Sequence, residues 1–258
     1  MQRAIDRAYL IESYGQVWKH ARLTNEQYKD TEFIAEYPRE GGIILDAVKE
    51  GANAIVDRIA AAIHPVFEEA SNRAVIQSNS LARQISARKE YIQGVGARTQ
   101  SFQDVIDNPP PNWASAYSNR SVIKEVDQLV KQITPEDLAG STAEITINGE
   151  VAHLPYFFTA QTARRFHAIS SKRELGAPLI LKAKIRSLDR GNKTTKPSAK
   201  IENLHTNRDV ILHLRSIEDF NELRPFHNGE PIQIYVCPIV EALGFDVNGG
   251  DLYYLAVA

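Results

Sequence analysis

The chain has 258 residues, 43% of them hydrophobic and 24% charged, with a formal net charge of −2 at pH 7. That composition excludes wholesale disorder and leaves ample core-forming material for one large domain or two modest ones. One cysteine, Cys237, excludes an intramolecular disulfide framework, and no window approaches ~18 consecutive apolar residues, so a cytoplasmic protein without a membrane span is expected.

The first stretch reads as helical: Ile5, Tyr9, Val17 and Trp18 recur at helical spacing over residues 2–22. An extended patch follows at 31–48, where Phe33, Ala35 and Tyr37 alternate with polar neighbours and Pro38 with Gly41-Gly42 marks a turn, as in a short hairpin. The strongest helical pattern comes next. Ile55, Ile59, Ile63, Val66 and Phe67 share one face, Pro65 is expected to kink or divide the helix, and Ala60-Ala61-Ala62 allows close approach of another helix, from the fold or a second subunit. Residues 70–93 continue with good helix formers and stop at Gly94 and Gly96.

NPPPNW (108–113) is a stiff extended connector, because three consecutive prolines neither continue a helix nor join a central strand. A helix is expected over 118–133, and Thr134-Pro135-Glu136 opens another brief helical turn. AEITINGEVAHL (143–154) signals a hairpin about Asn148-Gly149, and residues 158–175 return to helix, capped by Thr159. Short strands then dominate, at 179–188, 198–204, 209–215, 231–237 and 251–257, with a short helix at 217–223. The expectation is an α+β protein. A mainly helical portion with a short hairpin (1–107) leads through the connector (108–113) to bridging helices and a hairpin (114–176). A small antiparallel β module, barrel-like or a curved sheet, completes it (177–258).

The near-neutral total conceals an asymmetry. Residues 164–208 hold twelve basic residues against three acidic ones, a local excess of +9, while residues 209–258 carry −6. Within the basic band, LILKAKIRSLDRGNKTTKPSAKI (179–201) places Leu179, Leu181, Ala183 and Ile185 on one side of a strand and Lys182, Lys184 and Arg186 on the other. Arg190, Lys193, Lys196 and Lys200 extend the positive surface through the next loop and strand. These seven residues form a candidate grip for nucleic acid or another polyanion. The alternative is a solvated sheet face whose charges deter edge pairing. No Phe, Tyr or Trp lies between 179 and 208, so phosphate contacts are expected to dominate over base readout.

His205, Asp209 and His213 would align three metal ligands only on a helix. The surrounding alternation is that of a strand, so ordinary hydrogen-bonded histidines are expected, with no metal and no cofactor. Phosphate-cradling, zinc-hydrolase, CxxC and nucleophile-elbow motifs are absent, which names no catalytic residue, and Cys237 sits in an apolar strand as a core residue.

In the order of a helical start, a YPREGGIILDAV turn and strand, a long helix and a terminal β module carrying SLDRGNKTTKPSAKIENL, the chain resembles uncharacterised prokaryotic proteins found near mobile-element and phage-defence genes. The resemblance implies a bacterial antiviral defence or accessory role and carries over no catalytic residue. The leading expectation is a non-enzymatic binding or assembly protein. The alternatives are a complex subunit or homo-oligomer whose basic band meets an acidic protein surface, and a dispersed-site enzyme such as a metal-dependent nuclease.

Overall fold

The computed structural model of the protein describes residues 2–15, 22–31, 34–36, 42–46, 52–72, 80–94, 98–110, 113–134, 140–148, 153–241 and 244–258. The chain forms two compact units, each drawn from separated stretches: 1–77, 114–172 and 241–244 in the first, and 78–113, 173–240 and 245–258 in the second.

The first unit packs helices on a four-stranded sheet. Its helices are α1 (Gln2–Tyr14), α2 (Asn25–Asp30), α3 (Ala52–Ser71), α6 (Trp113–Val130) and α7 (Ala160–Ser170). Its strands β1 (Ile34–Glu36), β2 (Gly42–Asp46), β4 (Thr142–Asn148) and β5 (His153–Thr159) lie in the order β1-β2-β4-β5, with a parallel pair, β2–β4, at the centre. The 31–48 hairpin is present as the antiparallel β1–β2 pair, while Phe33, Tyr37, Pro38 and Gly41, like Val17, Trp18 and Pro135–Glu136, lie outside the described residues. Ile55, Ile59 and Ile63 are buried on one face of α3, as their spacing anticipates. Ala60 and Ala62 enter the same core as Ala4 and Ala8 of α1, so the alanine run serves contacts inside the fold. Pro65 does not divide α3, which runs unbroken with the proline exposed.

Several local expectations are corrected. The 143–154 hairpin has a longer loop than a two-residue Asn-Gly turn, because Asn148 pairs with His153 and Thr142 with Thr159. The turn residues from Gly149 to 152 lie outside the described residues. That register puts Tyr156 and Phe158 on the same side as Ile145 and Ile147, all four buried; a one-residue slip would turn the aromatic pair outward. Phe158 meets Phe67 and Phe166 edge-to-face, at ring-centroid distances of 5.0 and 5.5 Å. The helix expected over 158–175 is only α7, capped by Thr159, whose hydroxyl accepts from the Thr162 amide. Residues 173–175 are instead a strand of the second unit. Helix α6 starts at Trp113, earlier than expected. The 70–93 stretch holds a separate helix, α4 (Leu81–Gln93), begun by Ser80 and ended at Gly94, with Gly96 outside the described residues.

The second unit is built on a closed barrel. Its strands are β7 (Leu179–Asp189), β8 (Ser198–Asn203), β9 (Arg208–His213), β10 (Ile232–Glu241) and β11 (Leu252–Val257). They run in the order β7-β8-β9-β11-β10 and back to β7. Four pairings are antiparallel and one, β9–β11, is parallel. Helix α8 (Ile217–Leu223) joins β9 to β10. This strand order, with a helix between the third and fourth strands, is the topology of OB-type Greek-key barrels. Register shifts at Ile185/Ser187 on β7 and Tyr235/Val236 on β10 supply the bends that closure requires.

Leu181, Ala183, Ile201, Leu212, Ile234, Leu252 and Tyr254 fill the barrel. Phe102 and Val105 of α5 (Phe102–Asp107) and Leu223 of α8 add to that core, and β3 (Gln100–Ser101) pairs alongside β7. On the outer side, Ile85 of α4 and Leu175 of β6 (Arg173–Leu175) cover Cys237, Ile239, Tyr253 and Leu255. The Gln84 side-chain oxygen accepts from the Leu175 amide at 2.8 Å, and Lys89 pairs with the buried Asp219 at 2.9 Å. Among the described residues, no helix is long and apolar enough to cross a membrane.

In the first unit the buried Glu241 accepts from both Arg120 and Lys124 of α6. Burial alone would raise its carboxyl, but the Lys124 hydrogen bond and the Arg120 charge outweigh that and hold it at about 2, below the ordinary 4.5. A depressed carboxylate stabilises the fold above its unfolded value and stops doing so as pH falls through the folded one. The unfolding temperature of the wild type is therefore expected to fall between about pH 4.5 and 2, and Glu241→Gln to be less stable at neutral pH and flatter over that window. A scan of unfolding temperature against pH for both proteins checks this.

Candidate polyanion-binding surface

The outer side of β7, β8 and β9 carries the charged residues. Burial alternates along β7 as the sequence implies: Leu179, Leu181, Ala183 and Ile185 face the barrel, and Lys182, Lys184 and Arg186 face away. Lys200 occupies the same side of β8, and Arg190, Lys193 and Lys196 stand exposed in the loop joining the two strands. All seven anticipated cations are thus on β7, β8 or their connection.

Two carboxylates, Glu202 and Asp209, are interleaved with them. Arg186 pairs with Glu202 at 2.6 Å and Lys200 with Asp209 at 2.8 Å. The barrel register causes this: Glu202 lies opposite Lys184 on one side and Asp209 on the other. Exposed pairs of this kind contribute roughly 0–1 kcal/mol, so they redistribute charge more than they hold the fold. The surface therefore divides. Its middle is mixed, whereas Lys182, Arg190, Lys193 and Lys196 make no ion pair among the described residues.

The loop that presents three of those cations is held by its own side chains. The Asp189 carboxylate accepts from the Gly191 amide at 2.8 Å. The Asn192 side-chain oxygen accepts from the Thr194 and Thr195 amides at 2.8 and 3.0 Å and from the Thr194 hydroxyl at 2.8 Å. The Asn192 amide donates in turn to Thr195, and the Leu214 amide to the Pro197 carbonyl, tying the loop to the end of β9. Gly191 has φ +71°, and a Cβ there would lie 2.4 Å from the Thr195 carbonyl oxygen, so both backbone and space require glycine. The Asp-x-Gly-Asn order was the available signal for this brace, because Asx turns depend on local spacing.

The opposite end of β7 meets His205, in the turn before β9. The Lys182 amide donates to His205 Nε2 at 3.4 Å, so the ring carries its proton on Nδ1 and donates to Gln103 Oε1 at 3.2 Å. The ring stacks on Phe102 with centroids 6.1 Å apart. Burial, then the Lys182 charge, lower its pKa from 6.5. Asp209 pairs with Lys200, and His213 lies 3.5 Å from Asp251, so His205, Asp209 and His213 each have separate partners. Among the described residues no three or more His, Cys, Asp or Glu side chains are grouped to hold a metal ion. Cys237 is buried in the core beneath α4, and burial pushes its thiol up to about 12.

The chain matches no family model, no curated protein and no solved structure.

Two outcomes follow from the loop and the His205 contact. Gly191→Ala is expected to cost at least about 1–2 kcal/mol from the left-handed backbone, with the Thr195 clash added, read by urea denaturation. Because the folded pKa of His205 is depressed, its contribution to stability is present above 6.5 and lost as pH falls through the folded value. His205→Gln, which takes up no proton, is expected to show a smaller fall in unfolding temperature than wild type as pH drops below about 6.5, and NMR titration of the ring locates the folded value.

Proposed function

We propose that this protein binds a nucleic acid or an equivalent polyanion through the 190–197 loop and the adjoining outer side of β7, as a binding or assembly protein rather than an enzyme. The observation that carries this reading is the braced loop, which holds Arg190, Lys193 and Lys196 exposed on a fixed backbone with no acidic partner among the described residues. Pre-ordering matters because a mobile loop would lose conformational entropy on binding. Barrels of this topology bind oligonucleotides and oligosaccharides with the face of their second and third strands and the loop after the first, which correspond here to β8, β9 and residues 190–197. Topology alone does not assign function, so the charges carry the argument. A role in bacterial defence belongs to the same proposal and rests on the resemblance in element order and phrasing.

A second reading is favoured by the paired charges. Arg186–Glu202 and Lys200–Asp209 alternate in sign across the sheet, a pattern that suits a protein partner or a second copy of the chain better than a uniform anion. Light scattering at low and high salt separates this case, since an electrostatic assembly dissociates as salt rises.

The main reading is tested by fluorescence anisotropy with labelled DNA and RNA at several salt concentrations. Reversing Arg190, Lys193 and Lys196 to Glu is expected to weaken binding and to reduce the slope of log K against log salt by about 1 per lost phosphate contact. Lys200→Glu, which alters a cation already engaged by Asp209, is expected to do less. Unchanged binding by the triple variant would place the grip elsewhere.

A further inference from the structure

Resting on that reading, we infer that the ligand is a nucleic-acid duplex, contacted through its phosphates at the 190–197 loop, rather than a single strand laid across the barrel. A barrel that holds single strands needs exposed rings, because stacking contributes about 1–3 kcal/mol per base. Four of the second unit's large rings are fully buried: Phe102 and Phe245 are 1% and 3% exposed, and Tyr253 and Tyr254 3% and 0%. Phe220, Phe226 and Tyr235 are packed against its core clusters. Tyr91 is exposed, but it belongs to α4, and its hydroxyl donates to the Arg98 carbonyl oxygen. The uncovered side of β7, β8 and β9 carries mainly charged side chains, with Ile211 and the half-buried His213, and no Phe, Tyr or Trp.

Charge placement points the same way. A strand crossing the middle of β8 and β9 would run over Glu202 and Asp209, whose carboxylates are each matched by one cation already. Among the described residues the cations without an ion pair cluster on the loop, with Lys182, Lys184 and Arg208 standing singly along β7 and at the start of β9. Contacts there reach only a backbone that comes to the loop, and they read no base edges. When phosphates are the sole contact, affinity follows charge density. Each contact releases about 0.9 counterion from a duplex and about 0.7 from a single strand. Three loop contacts then favour the duplex by about fourfold at ~0.1 M salt, with salt slopes near −2.7 and −2.1. Sequence preference is expected to be slight.

The experiment titrates the full chain, wild type and the Arg190→Glu, Lys193→Glu, Lys196→Glu variant, into a labelled DNA duplex and, separately, into each of its isolated strands across a salt series. Circular dichroism confirms that the variant is folded. The expected result is tighter binding of the duplex by about fourfold or more, with its steeper slope flattened in the variant. Equal or tighter binding of the single strands, still lost in the variant, would overturn the duplex inference while leaving the binding function in place. Absence of binding to duplex and strands alike would remove both.

Discussion

Strand β7 hydrogen-bonds along both edges, and the barrel depends on that double pairing. Its first half, Leu179–Ala183, pairs with β10, and its second half, Ala183–Asp189, pairs with β8. Closing the sheet into a barrel requires β7 to bend, and the register shift at Ile185/Ser187 lies next to the changeover from β10 to β8. The edge of the first half that β8 leaves open is taken by the parallel pair of β3, at Leu179 and Ile180. Helix α5 begins immediately after β3, so the same pairing delivers Phe102 and Val105 into the barrel core. Closure, plugging and the curvature of the charged surface therefore share one cause.

That surface is shaped by what covers the rest of the barrel. Helix α4 and β6 bury the outer side of β10 and β11 under apolar contacts, leaving the outer side of β7, β8 and β9 to solvent. Closed barrels leave few free edges, so the lysines are not needed there to blunt edge pairing. The loop cations are better understood through their support: hydrogen bonds fix the backbone from Asp189 to Thr195, while the charged ends stay in water.

Much of this organisation was legible in local sequence. The alternation along 179–185 identifies the inward side of β7, the short helix expected at 217–223 is found there, and Thr159 caps the helix that it precedes. Information that is not local was hidden. The pairing of Asn148 with His153 depends on which side of β5 buries Tyr156 and Phe158, and that choice is made by the helices packed on the sheet. At the candidate site the positive residues were visible, because they cluster along the chain. Their neutralisation was not: Asp209 meets Lys200 only after β8 and β9 have paired, and a count along the sequence places that carboxylate beyond the basic band.

The division of the chain bears on the order of synthesis. The second unit combines residues 78–113 with 173–240 and 245–258, and the first takes its last four residues from 241–244. Helix α4 and the plug α5 thus leave the ribosome long before the strands they cover exist, carrying Ile85 and Phe102 without the partners that bury them. Nor does the barrel close before β10 and β11 have emerged. The second unit therefore cannot fold as its first segment emerges, and the apolar faces of α4 and α5 wait for the barrel strands, the interval in which a chaperone has most to protect.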